Sequence, residues 1–97
     1  MRMTQFLIAA LVLATPVAID AQEGWGQISF ENRTTVAADF YVDGDYGCRA
    51  LSGLFCTVQA RVGVHTLSIQ TVDGRTASQP GVEVVQGGVF TWTVTEG

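Results

Sequence analysis

A chain of 97 residues, 47% of them apolar, with two cysteines and a formal net charge of −4, has room for one small domain and no more. Past residue 21 it holds no lysine, and its arginines at 33, 49, 61 and 75 stand singly among eight carboxylates. Nucleic acid and anionic lipid bind through clustered positive charge, so neither is expected as a partner.

The chain opens with a positive start at Met1-Arg2, a nine-residue apolar run (6–14, FLIAALVLA), a break at Pro16 and a small residue at Ala21. These are the three regions of a secretory signal peptide, which places residues 1–21 in the leader with cleavage before Gln22; Ala18 is an alternative cleavage position. The run is too short for the roughly 20 residues that cross a bilayer, so no membrane span is expected after cleavage. No cysteine follows it, which argues against a lipid-modified N-terminus. The expected location is extracytoplasmic, secreted or periplasmic.

The remaining domain, residues 22–97, alternates apolar and polar residues with a period of two from Trp25 onward, the pattern of half-buried strands. Ile28 and Phe30 oppose Gln27, Ser29 and Glu31. Residues 32–35 (NRTT) read as a polar turn. Val36, Ala38, Phe40 and Val42 then alternate up to Asp43-Gly44, a hairpin signal because both central positions of a type I′ turn need positive φ.

Next comes a short stretch closed by Cys48 and Cys56. Cys56, Val58, Ala60 and Val62 alternate after it, Gly63 permits a reversal, and Leu67 and Ile69 lead to a second Asp-Gly at 73–74. Residues 76–81 contain Pro80 and read as an edge strand or loop, since proline donates nothing to a ladder. Val82 and Val84 run into Gly87-Gly88, read as another hairpin, and Phe90, Trp92 and Val94 alternate with a row of threonines.

Six or seven short strands with turns about every ten residues predict an all-β fold, a single small antiparallel β-sandwich. The expected dry face gathers Ile28, Phe30, Phe40, Val42, Val58, Val62, Leu67, Ile69, Val84, Phe90, Trp92 and Val94. Residues 36–42 and 89–94 carry few charges to blunt an exposed edge, which makes them candidate edge strands. In an exported chain two cysteines read as one disulfide, Cys48 to Cys56, the alternative being two buried thiols.

The order strand, YVDG (41–44), connection, strand, G-x-H-x-L-x-I (63–69) resembles PEGA-like domains, small immunoglobulin-like β-sandwich modules of exported and cell-surface proteins. The matching residues are Phe40, Tyr41, Val42, Asp43 and Gly44, then Gly63, His65, Leu67, Ile69, Asp73 and Gly74. A cysteine-closed loop stands where that family has a polar, proline-bearing link. The resemblance implies no catalysis, and roles in adhesion, envelope architecture or as an accessory module.

Candidate chemistry is sparse. His65 is the single histidine, so the usual triads and zinc clusters lack their parts; no enzyme, cofactor or metal is expected, and His65 reads as a ring bonded to a carbonyl or facing water. Asp39, Asp43 and Asp45 suggest a calcium loop but lack its distal bidentate glutamate, and a turn explains Asp43 as well. Asn32-Arg33-Thr34 fits the N-glycosylation pattern.

The binding candidates are Arg49, Leu51, Leu54 and Phe55 on the disulfide-closed loop, and Tyr41 and Tyr46 on the sheet. Two readings of the loop stay open. It is a rigid display for a protein partner, or, like the loop of Bowman-Birk-type inhibitors, it presents Arg49 or Leu51 to a protease. A structural bridge with Leu51, Leu54 or Phe55 capping the core is the plain alternative. The expected function is a non-catalytic binding or envelope-associated module working through protein contacts, of unassigned oligomeric state.

Overall fold

A computed structural model describes residues 24–96, and the signal-peptide assignment to residues 1–21 lies outside them. The described chain is all-β, with seven strands: β1 (Trp25–Arg33), β2 (Ala38–Val42), β3 (Asp45–Ala50), β4 (Phe55–Arg61), β5 (Gly63–Thr71), β6 (Thr76–Val84) and β7 (Val89–Thr95). They form a three-stranded sheet ordered β4-β1-β7 and a four-stranded sheet ordered β3-β2-β5-β6. All pairings are antiparallel except β1 with β7, which is parallel and sets Phe30 beside Trp92.

Both Asp-Gly pairs make hairpins within the four-stranded sheet, as their chemistry predicts. Asp43 and Gly44 take φ of 53° and 87°, the two positive values a type I′ turn needs. Gly87-Gly88 does something else. It carries the chain from β6 in one sheet to β7 in the other, so the reading of a hairpin there is corrected. A glycine turn between alternating runs does not encode which sheet the next strand joins; here burial of Phe90, Trp92 and Val94 against β1 decides it.

The stretch between the cysteines is also corrected. Asp45–Ala50 is strand β3, paired with β2 across a bulge at Phe40/Tyr41 that leaves Gly47 unmatched, and the true connection is only residues 51–54. β3 is an edge strand whose bulge breaks the alternation, which removes the period-two signal from its sequence. Cys48 therefore belongs to one sheet and Cys56 to the other. Of the candidate edges, β2 lies between β3 and β5 and is interior, while β7 is an edge. Pro80 sits in the edge strand β6, opposite the irregular register of β5 between His65 and Leu67, where its missing N–H costs no ladder bond.

Ile28, Phe30, Phe40, Leu67, Ile69 and Val84 are buried as expected, joined by Val82 and three alanines, with Val42, Val58, Phe90, Trp92 and Val94 packed at the margin. Val62 is not part of this core, because the chain bends there between sheets. At its centre Phe30 stacks on Phe40 with ring centroids 4.5 Å apart, and Trp92 meets both edge-on at 6.2 and 6.1 Å. Phe30 and Trp92 come from one sheet and Phe40 from the other, so this trio is the principal apolar contact holding the layers together. Phe40→Ala is expected to lower the unfolding free energy by about 3–5 kcal/mol, read as a shifted urea midpoint, and so to leave a domain of this size largely unfolded.

Candidate functional site

Asn32 lies at the end of β1 and is fully buried, 0% exposed. Its Nδ2 donates to the carbonyls of Val36 and Ala50 at 2.9 Å each, and its Oδ1 accepts from the Thr34 amide at 2.9 Å and the Thr34 hydroxyl at 2.6 Å. Every hydrogen-bonding position of the side-chain amide is thereby used. Its main chain extends the same grip: the Asn32 amide donates to the Leu54 carbonyl, and the Asn32 carbonyl accepts from the Gly53 amide. What reads as a polar turn at 32–35 is a strand end carrying a buried polar hub. Folded, the Asn32-Arg33-Thr34 pattern offers no free amide for a glycan.

The hub shapes the connection between Cys48 and Cys56. The Leu54 amide donates to the Leu51 carbonyl at 2.9 Å, and Gly53 takes φ of 78°, the positive value a type II turn needs at its third residue. Ser52 Oγ adds a bond to the Thr34 carbonyl at 2.7 Å. Behind the turn the Cys48–Cys56 disulfide joins β3 to β4 with Cα atoms 6.2 Å apart, a staple between sheets. Closing so short a loop contributes about 2.5 kcal/mol in the chain-entropy account.

On this rigid base Leu51, Leu54 and Phe55 are 56%, 55% and 66% exposed. None caps the core, so the structural alternative for these three side chains is corrected. The disulfide carries the structural role by itself, because the turn is anchored by Asn32 and needs no apolar plug.

The other candidates lie on β2 and β3. Arg49 does not project from the loop: it forms a two-pronged ion pair with Asp39 of β2, Nε to Oδ1 at 2.8 Å and a second amino nitrogen to Oδ2 at 2.9 Å. The Arg49 hydrogen bond holds the Asp39 carboxyl below its ordinary range. Tyr41 and Tyr46 are a cross-strand pair, edge to face at 5.9 Å, with Tyr46 61% exposed. Tyr46 lies near the start of β3 and the loop follows its end, so the tyrosines and the loop are separate surfaces rather than one.

His65 is engaged at both ring nitrogens. Nδ1 lies 2.6 Å from Asp43 Oδ2, and Nε2 lies 2.7 Å from the Arg61 carbonyl. Both partners only accept, so the ring satisfies both when it is doubly protonated. Asp43 Oδ1 also takes the Thr66 amide at 2.8 Å. The ring thus fastens the β2–β3 turn to the end of β4, across the two sheets. Asp39, Asp43 and Asp45 consequently do not converge as a calcium loop: the first is taken by Arg49 and the second by His65 and Thr66. No group of three or more candidate ligands is placed to hold a metal among the described residues.

Sequence reasoning missed Trp25 and Arg61 as a pair. The Arg61 guanidinium lies 4.8 Å above the Trp25 ring, joining the start of β1 to the end of β4. The antiparallel register that makes them neighbours is the only signal, and it is tertiary. No helix among the described residues is long and apolar enough to cross a membrane. The formed disulfide suggests an oxidising, extracytoplasmic environment. No protein-family model, curated protein or solved structure matches the chain.

Replacing Asn32 by Ala takes the side-chain donor from the buried Ala50 carbonyl and the acceptor from the buried Thr34 amide, at about 1–3 kcal/mol each, while the Val36 carbonyl keeps the Thr34 hydroxyl at 2.9 Å. The expected outcome is an unfolding free energy lowered by several kcal/mol, read as a lower urea midpoint, together with faster proteolysis within residues 51–55.

Partial burial opposes charge on His65, but the hydrogen bonds to Asp43 and the Arg61 carbonyl outweigh it and raise its pKa above 6.5. The Thr66 amide first, then His65, lower that of Asp43 below 3.8. A raised histidine pKa gives stability that is complete below about pH 6.5 and is lost as pH rises through the folded value; a lowered aspartate pKa gives stability that is lost as pH falls below about 4. Urea midpoints should therefore fall from pH 6 to pH 8, and His65→Gln or Asp43→Asn should flatten that slope.

Proposed function

We propose that this chain is a non-catalytic binding module, secreted or periplasmic after loss of residues 1–21, that docks on a protein partner through the apolar turn at 51–55. The PEGA-like resemblance belongs to this reading, since such sandwiches serve as accessory and adhesive modules of exported proteins. One observation carries it: Leu51, Leu54 and Phe55 are held in water on a backbone fixed by the Asn32 bonds and the disulfide.

Large apolar side chains gain about 1.5–3 kcal/mol each on full burial, and a partner that covers them collects this without ordering a loose loop first. Placing three such residues within the five positions 51–55 serves no packing purpose within the domain. An apolar groove, rather than a charged surface, is the matching feature on the partner, because no charged side chain lies within residues 51–55.

The reading as a protease inhibitor draws less support. A protease reads an extended segment, whereas residues 51–54 form a hydrogen-bonded turn, and Arg49 is spent on Asp39 within a paired strand.

The test is capture of a partner from the extracytoplasmic fraction by photo-crosslinking at position 52, with wild type and Leu54→Asp or Phe55→Asp compared. These exposed substitutions should shift stability by no more than about 0.5 kcal/mol while abolishing the crosslink. A crosslink that both variants retain, or inhibition of a serine protease that is lost with Arg49→Ala, overturns the proposal.

A further inference from the structure

At the end of the sandwich away from the 51–55 turn, a cleft of about 360 Å³ lies beside β3 and β4. Trp25, Asp45, Tyr46, Gln59 and Arg61 line it, with the His65–Asp43 pair in its wall. Its size is at the small end of the roughly 300–1,000 Å³ typical of ligand pockets, so it suits a small ligand or the terminal unit of a larger one.

Charge narrows the ligand. Asp43 and His65 are already paired at 2.6 Å, and the two remaining charges, Asp45 and Arg61, are of opposite sign. With Asp43 neutralised by His65 and Asp45 set against Arg61, the lining carries balanced charge: an anion drawn to Arg61 meets Asp45, and a cation drawn to Asp45 meets Arg61. A neutral ligand suffers neither repulsion.

Hydrogen-bonding capacity narrows it further. The Asp45 carboxylate, the Tyr46 hydroxyl, the Gln59 amide and the Arg61 guanidinium make no hydrogen bond to another described residue, whereas the other three arginines among the described residues, at 33, 49 and 75, are each paired with a carboxylate. Arg61 is held instead by the Trp25 face, a stacking that leaves its in-plane N–H groups available. The cleft therefore offers free donors and free acceptors together. Beside them stand two aromatic side chains, Trp25 49% and Tyr46 61% exposed. A ligand that matches all of this is uncharged, carries hydroxyls around its rim, and has an apolar C–H face to lay on a ring.

We infer that this cleft binds a neutral saccharide, with a sugar face against Tyr46 and Trp25 and its hydroxyls bonded by Asp45, Gln59 and Arg61. The site is independent of the 51–55 turn, so a single module would hold a protein at one end and a glycan at the other.

Saturation-transfer-difference NMR on the disulfide-bonded chain tests this, with methyl glycosides of neutral hexoses and of N-acetylhexosamines as probes and acetyl-arginine methylamide as the cationic control. The expected result is transfer to the ring protons of at least one glycoside. Tyr46→Ala and Gln59→Ala, both at exposed positions that leave the circular dichroism spectrum unchanged, should each weaken binding about tenfold, the value of one aromatic contact or one hydrogen bond. Leu54→Asp should leave it unchanged, which separates this site from the protein-docking turn. Absence of transfer to every glycoside, transfer that both cleft variants leave intact, or tighter binding of the arginine derivative than of any glycoside overturns the inference.

Discussion

The side-chain amide of Asn32 is the constraint on which the upper half of this domain rests. It joins the connection after β1, the end of β3 and, through its main chain, the turn before β4. Three segments that share no ladder are thereby fixed to one another. A buried amide with all positions filled is strongly directional, because any rearrangement strands a donor or acceptor away from water. An apolar residue of the same size would fill the space without dictating where the turn goes. This is why the four-residue connection and the first residue of β4 can keep three apolar side chains in solvent instead of folding them inward.

The disulfide and His65 act on the same problem at different places. A two-layer sandwich of this size has a small core, centred on Phe30, Phe40 and Trp92, and its layers are joined along one margin only by what bridges β3 and β4. The cystine bridges them near the Asn32 turn, and the His65–Asp43 pair with the Arg61 carbonyl bridges the sheets at the far end. One staple is covalent and indifferent to pH; the other is electrostatic and titrates. Between them the edge is held at both ends, and each end carries its own surface, the apolar turn at one and the aromatic cleft at the other.

Much of the fold was legible because its strands are half-buried and its hairpins use residues with special backbone chemistry. Asp43-Gly44 and Asp73-Gly74 were readable as turns, and the alternation of Ile28 with Phe30 and of Leu67 with Ile69 gave the inward face. Strand β3 was not legible, since a bulge at an exposed edge erases the period of two, and Cys48 was consequently placed in a loop rather than in a sheet. The same happened at Gly87-Gly88, where a turn was visible but its destination was not. Asn32 was misread for a related cause: a polar residue in a polar run looks like surface, and only burial reveals it as a hub. Arg49 and Leu51 looked like neighbours on one loop, yet one ends up in an ion pair and the other on display.

By itself the amino-acid order determined that the chain is all-β, where it reverses at its two Asp-Gly turns, which residues face inward, and that two cysteines stand close enough to join. Each of these follows from local chemistry or from a period of two, which act over a few residues. Only the tertiary structure decided which sheet each strand enters, that β1 and β7 run parallel, that the cystine spans the layers, and that Leu51, Leu54 and Phe55 stay in water while Trp25, Tyr46 and Arg61 gather around a cleft. Those outcomes depend on contacts between residues far apart in the chain, whose energies are settled by packing and by hydrogen-bond completion in three dimensions and leave no periodic trace in the sequence.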